Sequence, residues 1–394
     1  MSDWKQRRER LQAMLQEQGL DGFLAVQNVD CYYLCGSMQS GFLFIPAKGD
    51  GVFYVRRSVS RAIQEADSAV FPLASLKELG KQMARDFPDL SFDSDLKMAT
   101  TLDVLPVALY QKLQQSMSQV EWTDGSSMMK KLRMIKSEAE IASIRKAAKA
   151  VDTSLQDVLA TFRPGWTEVE LLANLERELR RHGHFGMMRM RGFNQELVVG
   201  MVGSGGEIAE PSFFDGPAGG SGLHPAFPQS ASTTPIRRDE PLFIDVGCTI
   251  EGYVIDQTRT AVWGRLDSAM ERAYLVSEDI LRALEQLLKP GTPAEAVYFE
   301  ALKLAEKAGL RSHFMGYGSE QVKFVGHGIG LEVDEWPVLA KGFKQPLEAG
   351  MVIAIEPKFT FPGQGVVGIE NTYLITEQGF EKLTCSREGV WHIL

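Results

Sequence analysis

Apolar residues recur at helical spacing in several stretches of this chain and crowd into short runs elsewhere. After Ser2, the positions Trp4, Leu11, Met14 and Leu15 predict a helix ending near Gly19. Gly22-Phe-Leu-Ala-Val, Tyr32-Tyr-Leu, Gly41-Phe-Leu-Phe-Ile and Gly51-Val-Phe-Tyr-Val then read as short strands. Alternating helix and strand signals continue to about Val120, and Trp122-Thr-Asp-Gly-Ser-Ser127 is rich enough in turn formers to read as a linker. Beyond it, Ser137-Glu-Ala-Glu140 forms a capping box ahead of a helix with Ile141, Ile144, Ala148, Val151, Leu155 and Leu159 on one face. Arg163-Pro-Gly165 stops that helix. Thr167-Glu-Val-Glu170 then caps another, in which Leu171, Leu175 and Leu179 recur every fourth residue.

The same punctuation returns. A helix over roughly 267–288 ends at Lys289-Pro-Gly291, and Thr292-Pro-Ala-Glu295 restarts the chain with Thr as N-cap, Pro at N1 and Glu at N3. The unit of helix, basic-Pro-Gly, Thr-x-x-Glu and helix thus occurs twice, about 126 residues apart. Sheet-like sequence follows each copy, so an internal duplication is expected.

A length of 394 residues exceeds one ordinary core, and two domains are expected, over 1–125 and 126–394. The 44% hydrophobic and 24% charged content is that of a globular protein. A net charge of −9 without a basic block argues against nucleic acid or an anionic membrane as partner. No run reaches the roughly 18 apolar residues of a membrane span. The first residues, Met1-Ser-Asp-Trp-Lys-Gln-Arg-Arg8, carry positive charge with no apolar stretch behind them. Four scattered cysteines, Cys31, Cys35, Cys248 and Cys385, lack metal-site spacing and read as reduced structural thiols. A cytoplasmic, reducing location is expected.

The candidate chemistry lies in two hairpins. Asp245 and Asp256 stand on β-rich runs either side of Ile250-Glu-Gly252, and their midpoint falls within that turn. Glu356 and Glu370 flank Pro362-Gly-Gln-Gly365, with their midpoint at Gly363. Both pairs should face each other across their hairpins, at a Cβ separation of about 4.5–5.5 Å, which suits two ions about 3.5–4 Å apart. A solvent-facing position is the ordinary reading of a charged strand residue. Ile244, Val246, Ile355 and Ile369 flank the acids, however, and give them apolar surroundings. His327 sits in Val325-Gly-His-Gly-Ile-Gly-Leu331, where glycines allow close backbone approach and aim the imidazole. Four buried carboxylates need cations to neutralise them, so Asp245, Asp256, His327, Glu356 and Glu370 are expected to hold two divalent ions. An oxygen-rich set of this kind accepts Mn²⁺, Co²⁺, Fe²⁺ or Zn²⁺.

These motifs resemble the M24 metallopeptidases, which include Xaa-Pro aminopeptidases, prolidases, methionine aminopeptidases and the non-peptidase creatinase. The resemblance covers the whole chain: Gly-Leu-Asp-Gly and Tyr-Tyr-Leu-Cys-Gly over 19–36 are similar to the creatinase-type N-terminal domain, and Leu132-Arg-Met-Ile-Lys-Ser-Glu with Arg-Pro-Gly-x-Thr-Glu to the start of the pita-bread domain. It implies an α+β protein of two domains, a creatinase-type N-terminal α/β domain and a C-terminal pita-bread domain with a pseudo-twofold internal repeat. It implies a manganese-type dinuclear hydrolase in which Asp256 and Glu370 bridge both ions, Asp245 completes one shell, and His327 with Glu356 the other. A metal-bridging hydroxide would attack the scissile carbonyl of a short peptide, with Glu356 shuttling the proton. A homodimer, with one N-terminal domain bordering the other subunit's cleft, is likewise implied.

The chain also departs from the proline-specific pattern. Lys323 and Asp334 stand where such relatives place histidines, and Gly368 where they often place arginine. Lys323 is a candidate cationic substrate contact and Asp334 a candidate holder of a substrate amine. His224, in Gly219-Gly-Ser-Gly-Leu-His-Pro, reads either as an active-site residue or as a loop histidine. His182 and His184 read as a helix end, Met187-Met-Arg-Met190 as core or cleft lining, and the glycine-rich stretches 203–206 and 216–222 as cleft-lining loops. The leading expectation is an Xaa-Pro peptidase. Its rivals are a same-fold enzyme on a small non-peptide substrate, by C–N hydrolysis or lyase chemistry, and a catalytically silent peptide- or protein-binding relative.

Overall fold

A computed structural model describes residues 2–90, 92 and 96–393. The chain divides into two compact units, Met1–Arg133 and Met134–Leu394. The first holds a six-stranded mixed sheet in the spatial order Ala69–Pro72, Val52–Val55, Gly41–Pro46, Gly22–Ala25, Leu96–Thr100 and Val120–Asp124. Helices connect several of its strands. The first, Asp3–Glu17, is capped by the Ser2 hydroxyl, which accepts the Lys5 N–H.

Two expectations are corrected in this unit. Tyr32-Tyr-Leu is helical, within Asn28–Cys35. That helix is buried almost all round, so no 3.6-residue period marks it, and Gly36 at φ 86° ends it by donating to the Tyr32 carbonyl. Its Cys31 and Cys35 are free and buried thiols. The proposed linker at 122–127 instead contributes the edge strand Val120–Asp124, in parallel register Met98↔Trp122. The following helix, Ser126–Met134, buries Met128, Met129 and Leu132, and the units part after Arg133.

In the second unit two helices, Glu138–Ala160 and Glu168–Arg181, precede a four-stranded sheet. Both open with complete capping boxes, at Ser137 with Glu140 and at Thr167 with Glu170. The sheet runs Val202–Ser204, Pro241–Ile250, Tyr253–Trp263 and Trp391–Ile393. Two more helices, Ser268–Glu285 and Ala294–Lys307, precede a five-stranded sheet. Its spatial order is Glu335–Ala340, Phe324–Gly328, Val352–Ile355, Asn371–Thr376 and Gly379–Lys382. A separate hairpin pairs Lys358–Phe361 with Gly365–Gly368.

The duplication is visible in backbone pairing. At the first junction Glu168 and Val169 donate to the Thr234 and Ser232 carbonyls; at the second, Ala294 and Glu295 donate to Gln345 and Phe343. The bridges Thr167↔Pro235 and Pro293↔Pro346 match in the same way. Pro293 is therefore the counterpart of Thr167, and the expected N-cap Thr292 lies one residue too early. The N-cap is Pro293, which has no side-chain donor or acceptor to cap with. Backbone carbonyls and the Glu295 carboxylate, which accepts from Gly342, take over the pairing there.

The core of this unit packs Met270, Tyr274, Leu281 and Val297 of the helices against Ile353, Ile355, Phe359, Val367, Ile369 and Tyr373 of the strands. Ile244, Val246, Ile355 and Ile369, the neighbours of the candidate acids, are fully buried. Among the described residues no helix is long and apolar enough to cross a membrane.

Candidate metal centre

The first hairpin turns on two residues, Glu251 at φ 54° and Gly252 at φ 92°, the conformation that matches the twist of paired strands. A two-residue turn sets the register Asp245↔Thr258 and Gly247↔Asp256. The two aspartates are thus diagonal neighbours on one face rather than directly opposite. A Cβ on Gly247, across from Asp256, would fall 2.1 Å from the Met188 sulfur, so a side chain there would displace that methionine.

The second pair is set as expected. Lys358↔Gly368 and Ile355↔Asn371 share one register, and its continuation places Glu356 opposite Glu370. Pro357 interrupts the strand just there. His327 enters from Phe324–Gly328, in register with Ala354. Its flanking glycines are required by close strand approach: a Cβ on Gly326 would lie 2.2 Å from the Ala354 carbonyl, and one on Gly328 2.2 Å from that of Trp336.

The two hairpins meet edge to edge. The Glu370 N–H donates to the Thr258 carbonyl, the Thr258 hydroxyl donates 2.8 Å to Glu370 Oε2, and the Thr372 hydroxyl donates to the Asp256 carbonyl. All five expected ligands therefore converge. Asp256, His327 and Glu370 offer ligand atoms within 4.8 Å of one another, close to what bonds of about 2.0–2.2 Å to a single divalent ion need. The His327 Nδ1 lies 3.1 Å from each of the Gly328 and Val333 carbonyls, which places its proton there and leaves Nε2 as the donor for an ion. Glu356 Oε1 stands 3.8 Å from that Nε2.

One residue in the cluster was not anticipated. Lys358 Nζ donates to Glu356 Oε2 at 2.8 Å, Glu370 Oε2 at 2.9 Å and Asp245 Oδ2 at 3.0 Å. Its side chain is 1% exposed. A usable signal was present: Lys358 lies two positions from Glu356, on the same face of an otherwise apolar run, and opposite a glycine.

The electrostatics follow from this crowding. Burial pushes the carboxyls of Asp245 and Glu356 up, to about 6 and about 7, against the opposing pull of Lys358. Burial and then the Glu370 and Asp245 charges hold Asp256 well above the usual carboxylate range. Burial also pushes Glu370 up, but Lys358 and His327 outweigh it and hold this carboxyl low. For Lys358, burial is outweighed by Asp245, Glu356 and Glu370, so the amine stays an ammonium. His327 is held up at about 8, because Asp334, Glu356 and Glu370 together exceed the cost of burial. A single ammonium leaves this cluster short of positive charge, and the donor set fits a further cation.

The acids floor a cavity, open on one side, walled by Met188, Leu197, Met201, Phe214, Phe324 and Val333. Of the two stretches expected to line it, Gly216, Pro217 and Ala218 do, whereas 219–222 and 203–206 do not. Asp334 stands at the wall, with Oδ1 3.4 Å from His327 Nδ1, so it acts on the imidazole from its far side. Lys323 and His224 are both exposed and neither reaches the cavity. The His224 ring instead accepts the Ala226 N–H at 3.1 Å, within its own loop. His182 ends a helix, and His184 is buried beyond it.

Fold and site together define a metallohydrolase of the kind that binds ions between paired hairpins. The sequence profile of metallopeptidase family M24 matches residues 142–377, and that of the creatinase/prolidase N-terminal domain matches residues 7–135. The chain belongs to metallopeptidase family M24. It is 26% identical to the Xaa-Pro dipeptidase of Pyrococcus furiosus over 96% of its own length and 98% of that protein's. It is 28% identical to a probable dipeptidase PepE of Mycobacterium bovis, over 92% and 89% of the two chains. The solved prolidase of Pyrococcus horikoshii superposes with a TM-score of 0.80 at 24% identity, covering 97% of this chain and 99% of that one. M24 metallopeptidases use divalent metals.

Proposed function

We propose that this chain is a cytoplasmic Xaa-Pro peptidase that cleaves short peptides and acts as a homodimer. The observation that carries the reading is the convergence of Asp256, His327 and Glu370 at the floor of an apolar-walled cavity. Relatives named as Xaa-Pro dipeptidases over nearly the full length support it. Asp245 and Glu356 are the other two candidate ligands, and manganese is the first candidate ion, with cobalt, zinc or iron as substitutes. When bound, a divalent ion supplies Lewis acidity toward a carbonyl oxygen and lowers the pKa of water.

The chain's own residues do the rest. Met188, Leu197, Met201 and Phe214 exclude bulk water and offer an apolar surface to a proline ring. Glu356, fixed through Oε2 by Lys358, presents Oε1 toward the cavity as the proton carrier between water and the departing amine. Asp334 and the two carbonyls at Nδ1 orient His327.

One observation favours a second reading. Among the described residues lining the cavity there is no lysine or arginine to pair with a substrate carboxylate, while Asp215 and Asp334 stand at its wall. That lining suits a small cationic, non-peptide substrate whose C–N bond is cleaved. Manganese-loaded protein should be assayed against Xaa-Pro dipeptides, longer Xaa-Pro peptides and small amidino or amide compounds. Release of the N-terminal residue from either peptide set supports the peptidase. Turnover confined to the small compounds replaces it with the second reading.

A further inference from the structure

We propose that the Lys358 ammonium replaces one of the two ions expected from the sequence, so that this centre takes a single divalent ion, held by Asp256, His327 and Glu370. The inference rests on reading the cluster as a metal centre and deepens that reading by fixing its stoichiometry.

Three observations carry it. First, the ammonium has three protons and places them on three carboxylates, Asp245, Glu356 and Glu370, at 2.8–3.0 Å. An ion bound to those same oxygens at about 2.0–2.2 Å would lie within about 3 Å of Nζ, with no ligand between the two cations. The positions are alternatives.

Second, Lys358 is held in place. Its carbonyl accepts the Met315 N–H at 2.9 Å, its strand pairs with Gly368, and its Nζ stands 5.5 Å from the centre of the buried Phe243 ring. Gly368 provides the room. A Cβ there would fall 2.8 Å from Lys358 Cγ, so the missing side chain across the hairpin is what admits the lysine stem.

Third, Asp256 and His327, to which Lys358 does not donate, offer ligand atoms that lie with one from Glu370 within 4.8 Å of one another. The ammonium and one ion then share Glu370, with Asp245 and Glu356 on the ammonium and Asp256 and His327 on the ion, and four carboxylates face three positive charges.

The experiment is a metal count on the full chain. Wild type, Lys358→Ala and His327→Ala are stripped with chelator, dialysed against Mn²⁺ with and without a final desalting step, and analysed for manganese per chain. Electron paramagnetic resonance then distinguishes isolated from exchange-coupled Mn²⁺. The expected result is one isolated ion in wild type, none in His327→Ala, and two coupled ions in Lys358→Ala. Two coupled ions in wild type would overturn the inference while leaving the metal-centre reading intact. So would a single ion in a folded Lys358→Ala variant, because the lysine would then not be what excludes the second. No ion in wild type would overturn both. Should Lys358→Ala fail to fold, the wild-type count alone decides.

Discussion

Gly368 lies directly across a hairpin from Lys358, and a Cβ added to it would stand 2.7 Å from the Pro357 carbonyl and 2.8 Å from Lys358 Cα. Two of these neighbours are backbone, so neither can swing aside. Gly368→Ala should therefore cost about 1–3 kcal/mol by overpacking. That corresponds to a fall of roughly 2–10 °C in the thermal midpoint of a unit this size. Differential scanning calorimetry on the two proteins measures it. An unchanged midpoint would show that the strand relaxes there, and that the glycine is not required by the lysine.

Arg259 is fully buried and spends all five of its N–H donors. Nε donates to the Arg387 carbonyl, one terminal nitrogen to the Thr258 and Glu370 carbonyls, and the other to Asn371 Oδ1 and the Ser386 carbonyl. Lysine has three donors on a single atom and cannot reach five acceptors arranged around a plane. Arg259→Lys should leave at least two buried acceptors unpaired, at about 1–3 kcal/mol each. The expected outcome is a lower thermal midpoint together with lost turnover, because the Glu370 backbone is one of the groups released. Retention of both would remove Arg259 from the support of the site.

The second hairpin was readable in detail because its turn is symmetric about Gly363, so counting outward pairs Glu356 with Glu370. The first was readable only to within two residues. Its turn uses Glu251 and Gly252 alone, and a centre moved by one position shifts each cross-strand partner by two. Capping boxes mark the helix starts at Ser137 and Thr167 in sequence and structure alike. Thr292 is not the N-cap because Pro293 occupies the equivalent of Thr167, and the Gln345 and Phe343 carbonyls accept the first helix N–H groups in place of a side-chain cap. The place of Lys358 is legible only in part, from its two-residue spacing to Glu356. A lysine in a strand ordinarily points to solvent, and only the meeting of two hairpins far apart in sequence puts three carboxylates around it.

Thr258 gives its hydroxyl to Glu370 Oε2 at 2.8 Å and makes its own backbone contact to the same residue. Thr258→Val keeps the shape and removes only the donor. Loss of a group that orients a ligand carboxylate typically lowers metal affinity or activity about 10–100-fold. A Mn²⁺ titration followed by calorimetry should show that weakening, with the thermal midpoint of the metal-free protein moved by only a few degrees. Thr258→Ser restores a hydroxyl at the same atom and should recover most of the affinity. Equal affinity in the valine variant would mean that Lys358 alone suffices to orient Glu370.

His184 offers a pH-dependent term away from the acids. Its side chain is 5% exposed, and Nδ1 accepts the Thr249 N–H at 2.9 Å, tying residues 184–187 to the far end of the first hairpin. Burial, helped by the charge of Arg180, holds this imidazole below its ordinary value, so it stays neutral in the folded chain. The unfolded chain binds the proton more readily, near a pKa of about 6.5. Stability from this group is therefore complete above about pH 6.5 and declines as pH falls from there through the lower folded value, by at most about 1.4 kcal/mol per pH unit. His184→Asn keeps an acceptor for Thr249 without the titration. The thermal midpoint of the variant should depend less on pH below about 6.5 than that of wild type. Taking the difference between the two profiles cancels the carboxylates and His327, which are common to both. Parallel profiles would show that the His184 site admits the proton at no cost.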